Sequence, residues 1–404
     1  MNKLSSQKEI SKYIWLFSIT YMVSYITRIN YGAIILEIEQ ATQISKTLLS
    51  ITVTGSAVTY GTGQIISGIC GDRISPKKLI SYGLLLSVGM NILIPFCQNH
   101  YQMAAVWCIN GFAQAFMWPP MVRLMSTLFT METYKKKSVK VSWGSSAGTI
   151  LVYLMSPVLI ATVGWKYVFW ISAGCGIIML LVWNRLCCDI DCKAEAKTAT
   201  VKTGGANWKI MLSPLMLGIM LAIVLQGMLR DGVTTWMPTY ISETYNLSSV
   251  ISILTSVVLP IFSIICCEAT AKLYRKYFKN PLMCAGVIFG TGALASAVLL
   301  GVTGNSAALS VVFAALLTGT MHGVNVMLIS MLPPFFQKYG NVSTVSGILN
   351  SCTYIGSAIS TYGIAVLSEK YNWSFTIFIW LLIALLGTAM CLICVRPWSK
   401  REAE

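Results

Sequence analysis

The sequence has few charged residues for its length. Of its 404 residues only 11% are Asp, Glu, Lys or Arg, whereas 55% are hydrophobic. Soluble globular domains carry about 25% charged residues. A folded chain of this size cannot remove so much apolar surface from water. The composition therefore excludes an ordinary soluble enzyme and predicts an integral membrane protein.

Residues that bind metals or perform catalysis are also scarce in any useful arrangement. There are two histidines, and the 13 cysteines are scattered through apolar runs, which predicts no disulfide framework. Cys187, Cys188 and Cys192 lie close together, but their spacing is not that of a zinc site, and we interpret them as reduced cytosolic thiols. We find no nucleophile–base pair or phosphate-binding loop. We therefore expect no metal, no cofactor and no enzymatic activity.

What the sequence does contain is a series of long apolar segments. A membrane-spanning helix needs about 20 mostly apolar residues. The segments that meet this requirement are 13–38, 47–70, 79–97, 103–128, 141–162, 167–186, 214–241, 249–271, 281–301, 307–332, 344–367 and 375–395. They predict an all-α protein with twelve transmembrane helices, the first of which is retained rather than cleaved as a signal peptide.

Lysine and arginine outnumber the acidic residues by 29 to 14, and their positions explain the surplus. With the N-terminus inside, 23 of them fall on cytoplasmic segments and three, Lys46, Lys166 and Lys370, on outside loops. Such an asymmetry sets the orientation of membrane proteins. It predicts a multi-pass protein of the plasma (inner) membrane with both termini cytoplasmic, and it removes the reason to expect a nucleic-acid partner.

Two parts of the chain are similar to each other. GWKYVFWISAGCGIIMLLV (164–182) resembles NWSFTIFIWLLIALLGTAM (372–390), and both open the sixth helix of a half. A parallel repeat of this kind predicts two pseudo-symmetric six-helix bundles with the substrate near the midplane between the halves. We place the bundles at 1–186 and 214–404, joined by a cytoplasmic linker at 187–213.

Two arginines stand inside predicted helices at corresponding positions of the two halves. Arg28 and Arg230 each lie about 15 residues, or about 22 Å, from the cytoplasmic start of a helix, which is midway or beyond in a core of about 30 Å. A buried arginine is costly unless it faces water or an anion. Asp231 follows Arg230, but neighbouring side chains on a helix point about 100° apart, so we expect a poor partner. Both guanidinium groups are candidate ligands for a small anionic substrate, especially a phosphoryl group.

Other polar and aromatic residues lie at a similar depth. Tyr21 and Tyr25 share a helix face with Arg28, and His322 could donate to an anion or exchange a proton near neutral pH. The residues expected to line the substrate cavity with the two arginines are Tyr21, Tyr25, Tyr60, Gln64, Trp118, His322, Asn350 and Tyr354.

The segment GDRISPKK (71–78) joins the second and third predicted helices on the cytoplasmic side. Its acidic residue stands beside a basic turn, and Arg123 lies near the cytoplasmic end of the fourth helix. We interpret Asp72, Arg73 and Arg123 as a charge cluster that locks a gate rather than as part of the substrate site.

These segments carry a resemblance to a known group. GICGDRISPKKL, WPPMVRLMSTLF and the twelve-helix plan resemble the major facilitator superfamily. Within it, YITRINYG, FMWPP, MLRDGVTTWMPTYI and NSCTYIGS are similar to the organophosphate:phosphate antiporters, which include the glycerol-3-phosphate and hexose-phosphate transporters. The resemblance implies the major facilitator fold and phosphate binding by Arg28 and Arg230. The aromatic site positions that it implies are Tyr21, Tyr25, Tyr60, Trp118 and Tyr354.

Several positions depart from that family's pattern. Gln64 stands in place of a lysine, Gly227 and His322 in place of tyrosines, and Ser145 to Ala147 where a histidine is expected. These departures lower the basic count at the site.

Three functions are therefore compatible with the sequence. The leading interpretation is a secondary transporter that exchanges an organophosphate or a similar organic anion for inorganic phosphate by alternating access. The alternatives are a proton-coupled symporter of an organic carboxylate or sulfonate, with His322 or Asp231 as proton site, and a transporter-like sugar-phosphate sensor. We expect a monomer in the lipid bilayer with a small anionic substrate and inorganic phosphate as counter-substrate.

Overall fold

The structure, a computed structural model, describes residues 4, 6–44, 46–188, 211–247, 255, 258–339 and 341–403. Over these residues the chain is mostly helical and has no strand, so the predicted all-α class is confirmed. Most of the predicted linker, including Cys192, lies outside the described residues, as does part of the predicted helix at 249–271.

The chain divides into two compact units. One is formed by Met1–Ala206 with Phe336–Ser351, and the other by Asn207–Phe335 with Cys352–Glu404. The helices before the linker are α1 (Gln7–Ala33), α2 (Ile35–Thr42), α3 (Lys46–Gly71), α4 (Pro76–Leu93), α5 (His100–Gln114), α6 (Trp118–Leu128), α7 (Met131–Thr162) and α8 (Lys166–Leu186). The predicted bundle boundaries at 186 and 214 stay a prediction.

The described helices after the linker are α9 (Pro214–Tyr245), α10 (Val258–Tyr277), α11 (Pro281–Val302), α12 (Ala307–Asn325), α13 (Val342–Lys370) and α14 (Trp373–Ala403). A π-helical segment, Val326–Met331, continues α12. The first turns of α13 cluster with the first unit and the remainder with the second.

Each of the twelve predicted segments is helical over most of its described residues. Seven described helical stretches are long and apolar enough to cross a membrane, judged by length and composition: Pro76–Phe96, Met131–Thr162, Lys166–Leu186, Pro214–Met237, Pro281–Val302, Ala307–Gln337 and Trp373–Lys400. Helices α1, α3 and α13 are richer in hydroxyl-bearing and small residues. These three helices carry Arg28, Tyr60, Gln64 and Asn350, whereas Arg230 and His322 lie on α9 and α12, whose apolar stretches are among the seven.

The predicted segment 103–128 is interrupted. Helix α5 ends at Gln114, and α6 begins at Trp118 with Pro119 and Pro120 in its first turn. Proline lacks a backbone N–H and has a fixed φ, so it is tolerated in a first turn but breaks a helix interior. The two prolines therefore fix where α6 begins.

Glycines allow helices to approach one another closely inside each unit. A Cβ atom at Gly111 of α5 would lie 2.3 Å from the carbonyl oxygen of Ser56 in α3, and one at Gly148 of α7 would lie 2.5 Å from that of Met22 in α1. Small residues at helix contacts are typical of membrane proteins, where close backbone packing replaces the hydrophobic driving force.

Candidate substrate-binding site

Helix α1 holds the Arg28 guanidinium against two tyrosine rings of the first unit. The Arg28 Cζ atom lies 3.7 Å from the centroid of the Tyr60 ring and 5.4 Å from that of Tyr25. Tyr60 is buried on α3, whereas Arg28 is half-buried. A cation over an aromatic face is stabilised by the ring quadrupole, more strongly where water is excluded. The two rings thus stabilise the Arg28 cation within the first unit.

The same aromatic cluster continues to α6. The Tyr21 ring lies 5.1 Å from that of Tyr25 and 4.9 Å from that of Trp118, measured between centroids. Trp118 is the first residue of α6, so the two prolines that follow it also determine where its indole lies. Tyr21, Tyr25, Tyr60, Trp118 and Arg28, all predicted from the sequence, are therefore neighbours.

Gln64 and Asn350 meet in the first unit. The Asn350 Nδ2 donates to Gln64 Oε1 at 3.0 Å, and Gln64 Nε2 donates to the carbonyl of Ala115 at 3.4 Å. Gln64 is fully buried. Its amide is engaged on both sides by the protein, at the position where the antiporters that the chain resembles carry a lysine.

A buried polar network holds α1 immediately beside Arg28. The carbonyl oxygen of Thr27 accepts from Asn91 Nδ2 at 2.9 Å and from Asn110 Nδ2 at 3.0 Å, and Gln114 Nε2 donates to Thr27 Oγ1 at 2.8 Å. The Asn30 amide completes the network through Asn91 Oδ1 at 2.7 Å. The sequence analysis did not single out these residues, although amide side chains inside apolar spans are themselves a signal.

We expect Asn110→Leu to lower the free energy of unfolding by about 1–3 kcal/mol, because it removes one of the two side-chain bonds to the Thr27 carbonyl and leaves the buried Ser87 hydroxyl without its acceptor. Thermal unfolding of the purified protein in detergent measures this change. Asn305→Leu is the control, since Asn305 is exposed. Equal unfolding temperatures for the two variants would contradict the role given to the network.

In the second unit Arg230 is paired with its own neighbour. Its Nε lies 2.6 Å from Asp231 Oδ1, and its Nη2 lies 2.9 Å from Asp231 Oδ2. The expectation that Asp231 is a poor partner is therefore wrong. The two Cβ atoms diverge, but the long arginine side chain folds back far enough for its fork to bind both carboxylate oxygens.

Further groups surround this pair. The Ser357 hydroxyl of α13 hydrogen-bonds the Asp231 carboxylate. His322 of α12 interacts electrostatically with both Arg230 and Asp231. Tyr354 is half-buried one turn before Ser357 on α13. The structure thus places Arg230, Asp231, His322 and Ser357 near one another in the second unit, and a substrate-binding role for Arg230 and His322 stays a prediction.

The glycine at position 227 has a packing reason. A Cβ atom there would lie 2.2 Å from the carbonyl oxygen of Thr353, and the reciprocal contact from Gly356 would reach that of Val224 at 2.0 Å. Helices α9 and α13 touch backbone to backbone here, so a tyrosine, which the resembling antiporters carry, has no room at position 227.

Asp72 caps the N-terminus of α13. Its Oδ1 accepts from the Ser343 N–H at 2.9 Å and its Oδ2 from the Thr344 N–H at 2.7 Å. Arg123 donates to the carbonyl of Gly71, whereas Arg73 is exposed. Burial raises the pKa of Asp72 from 3.8 to about 6, although the bonds from Thr344 and Ser343 and the charge of Arg123 act in the opposite direction.

The pKa of Asp72 gives a pH prediction. Because the folded state binds this proton more tightly than the unfolded state, the contribution of Asp72 to stability is present below pH 4 and is lost as the pH rises toward 6. We expect a fall of up to roughly 3 kcal/mol over this window. Asp72→Asn should remove that component of the pH dependence of thermal unfolding, whereas Glu9→Gln, which changes an exposed carboxylate, should keep it. An unchanged slope in Asp72→Asn would contradict the assignment.

A family profile matches most of the chain. The profile described as the Major Facilitator Superfamily matches residues 17–361. The chain belongs to the major facilitator superfamily. The predicted major facilitator fold is confirmed with it, and the protein is a multi-pass membrane transporter by family.

Relatives narrow the family further. The membrane sensor protein UhpC of Salmonella typhimurium is 22% identical over 379 residues, covering 89% of this chain and 85% of that protein. The glycerol-3-phosphate transporter of Bacillus subtilis is 25% identical over 383 residues, covering 88% and 85%. A crystal structure of the E. coli fucose:proton symporter FucP has a TM-score of 0.76 at 12% identity over 96% of this chain and 99% of that one. The chain is thus a major facilitator transporter related to transporters of organic phosphates, and its fold is shared more widely.

Proposed function

We propose that the protein is a secondary transporter that moves an organic phosphate of the sugar phosphate or glycerol-3-phosphate class, or a similar organic anion, by alternating access in exchange for inorganic phosphate. The observation that carries the proposal is the Arg28 guanidinium, whose Cζ atom lies 3.7 Å from the centroid of the Tyr60 ring, five residues before the end of α1. Arg230 occupies the corresponding position in the other half of the sequence. The name of the Bacillus subtilis relative, a glycerol-3-phosphate transporter, supports the substrate class.

Each arginine contributes planar donors to the substrate. The oxygens of a phosphate monoester match the paired donors of a guanidinium fork, and we assign contacts with the organic part to Tyr21, Tyr25, Tyr60, Trp118 and Tyr354. His322 supplies a further donor, whereas Gln64 and Asn350 hydrogen-bond each other and would have to exchange that bond to contact the substrate. Binding must favour one conformation over another if it is to drive transport, and ligation of two cations by one anion supplies such a difference.

A thermal-shift panel tests the substrate class. A ligand that binds only the folded protein raises its unfolding temperature. We expect inorganic phosphate and glycerol-3-phosphate to stabilise the purified protein and glycerate and isethionate to have little effect. If glycerate or isethionate stabilised the protein and neither phosphate compound did, the proposed phosphate-ester substrate would be wrong.

The Arg230–Asp231 pair beside His322 favours a second candidate, a proton-coupled symporter of an organic carboxylate or sulfonate. A carboxylate near an imidazole in a transport pathway is an arrangement that proton relays use. Uptake that requires a pH gradient and ignores internal phosphate would select it.

The proposal also covers a cytoplasmic gate and the membrane location of the protein. Asp72, Arg73 and Arg123 act at the loop after α3, where release of the Asp72 cap would free the N-terminus of α13. We place the protein in the plasma membrane as a monomer with both termini cytoplasmic. Protease access to each terminus in oriented vesicles measures the orientation.

A further inference from the structure

The carboxylate partner of Arg230 is the next residue in the chain, Asp231. Both oxygens of Asp231 bind the guanidinium, at 2.6 and 2.9 Å, and the two residues are consecutive on α9. The Arg230 side chain is 13% exposed and the Asp231 side chain 25% exposed, so water screens the attraction between their charges only in part. Because the residues are covalent neighbours, Asp231 is available to Arg230 in every conformation of a transport cycle.

The groups that face this pair come from three other helices. Ser357 of α13 hydrogen-bonds the carboxylate, and His322 of α12 interacts electrostatically with both members. On α10, the charge of Arg230 also acts on the Cys267 thiol, next to Glu268. The carboxylate therefore has a second donor, the Ser357 hydroxyl, available when an anion takes its place on Arg230.

A buried arginine without a partner carries a large energetic penalty. If the transported anion supplied the counter-charge of Arg230, the empty carrier would have to change conformation with that charge uncompensated. Its reorientation would then require a bound anion, and transport would be limited to exchange of one anion for another. Asp231 removes the penalty for Arg230, and the Tyr60 face, 3.7 Å from Arg28 Cζ, lowers it for the other arginine. Both cations thus have partners that belong to the protein.

We propose that Asp231 is a built-in counter-anion of Arg230 that lets the carrier reorient without a bound anion, so that net uptake occurs as well as exchange. This inference rests on the proposed role of Arg230 in binding the transported anion. It also makes Asp231 a specificity-determining residue, because an incoming anion must displace it, and a weakly charged anion competes less well than a phosphate monoester.

The test compares net uptake with exchange. Full-length protein in liposomes takes up radiolabelled inorganic phosphate, either into vesicles loaded with phosphate or into vesicles that contain only chloride salt and buffer, with the membrane potential clamped by potassium and valinomycin. The quantity measured is the ratio of the initial rate in loaded vesicles to that in unloaded vesicles. The variants are Asp231→Asn, Asp231→Glu and Glu243→Gln, the last as a control because Glu243 is an acid of α9 bound to Trp373 instead.

We expect a ratio within about threefold of unity for the unchanged protein and for Glu243→Gln, and a ratio at least about tenfold higher for Asp231→Asn, because Arg230 then lacks a counter-charge from Asp231 when no anion is bound. Asp231→Glu, which restores a carboxylate, should return the ratio toward the original. Phosphate should also bind Asp231→Asn more tightly in a thermal-shift titration, which reports on folded protein directly.

Two failures are distinguishable. Equal ratios for Asp231→Asn and the unchanged protein, with phosphate exchange intact in both, would overturn the counter-anion role and leave the proposed function standing. Absence of phosphate uptake above that of protein-free liposomes in every variant and both loading conditions would overturn the proposed exchange with phosphate, and this inference with it.

Discussion

Replacing Arg28 or Arg230 with lysine is expected to lower the initial rate of transport into proteoliposomes by about a hundredfold or more, because hydrogen bonds to charged groups contribute about 1.5–3 kcal/mol each and lysine cannot form the paired set. At position 28 lysine also loses the planar group that stacks on Tyr60. At position 230 it loses the two-point contact with Asp231. Charge is conserved in both variants, so the loss would report geometry rather than net charge.

Arg185→Lys is the matched control for these variants. Arg185 is exposed in the last turn of α8, so its replacement should leave the transport rate unchanged. Thermal unfolding of all three variants separates a transport defect from a folding defect. Wild-type rates in both Arg28→Lys and Arg230→Lys would contradict the assignment of the arginines to the substrate.

Replacing Gly356 with alanine is expected to be among the most destabilising single-methyl changes in this protein. The added Cβ would lie 2.0 Å from the carbonyl oxygen of Val224 and 2.9 Å from the nitrogen of Met228, both backbone atoms of α9. A helix backbone cannot yield as a flexible side chain does, so α9 and α13 must separate. Overpacking typically costs about 1–3 kcal/mol, and here we expect the upper end of that range or more.

The same helix provides a control for that prediction. A Cβ atom at Gly363 of α13 meets nothing within 4 Å. Alanine is favoured over glycine inside a helix by about 0.5–1 kcal/mol, so Gly363→Ala should keep or raise the unfolding temperature. The two variants are compared by thermal unfolding and by the yield of monodisperse protein after size-exclusion chromatography. Equal behaviour of the two would show that the α9–α13 contact is looser than described.

Local features of the sequence anticipated much of the fold. Apolar length located the helices, since a spanning segment must be long and apolar whatever its tertiary contacts. The three-residue spacing of Tyr25 and Arg28 placed them on one face of α1, where they are in contact. The start of α6 at Trp118 was not predicted, because the segment 103–128 is continuous in hydrophobicity; Pro119 and Pro120 in the first turn of α6 give the physical reason for the break.

Contacts between distant parts of the chain could not be predicted in this way. Asn350 binds Gln64, and Asp72 binds the start of α13, across more than 270 residues, and a single sequence carries no signal for such partners. The error at Asp231 has a different origin. Helical geometry fixes the direction of Cβ atoms, but a long side chain with four rotatable bonds reaches well outside that direction, so backbone spacing alone does not decide which charges pair.

The glycine at position 227 illustrates the same limit at the site. From the sequence, Gly227 is interpreted as the replacement of a tyrosine that the antiporters carry. The structure shows instead a close approach of two helix backbones, which requires a residue without a side chain. Position 227 of this chain is therefore part of the packing of α9 against α13.

The measurement that tests the central claim most directly is competition for phosphate exchange. Proteoliposomes loaded with inorganic phosphate take up labelled phosphate in the presence of glycerol-3-phosphate, glycerate or isethionate, three small anions that differ in the group offered to Arg28 and Arg230. We predict strong inhibition by glycerol-3-phosphate, little by glycerate or isethionate, and no exchange in Arg28→Lys or Arg230→Lys. Inhibition by glycerate or isethionate but not by glycerol-3-phosphate, or binding of phosphate without any flux, would contradict the account.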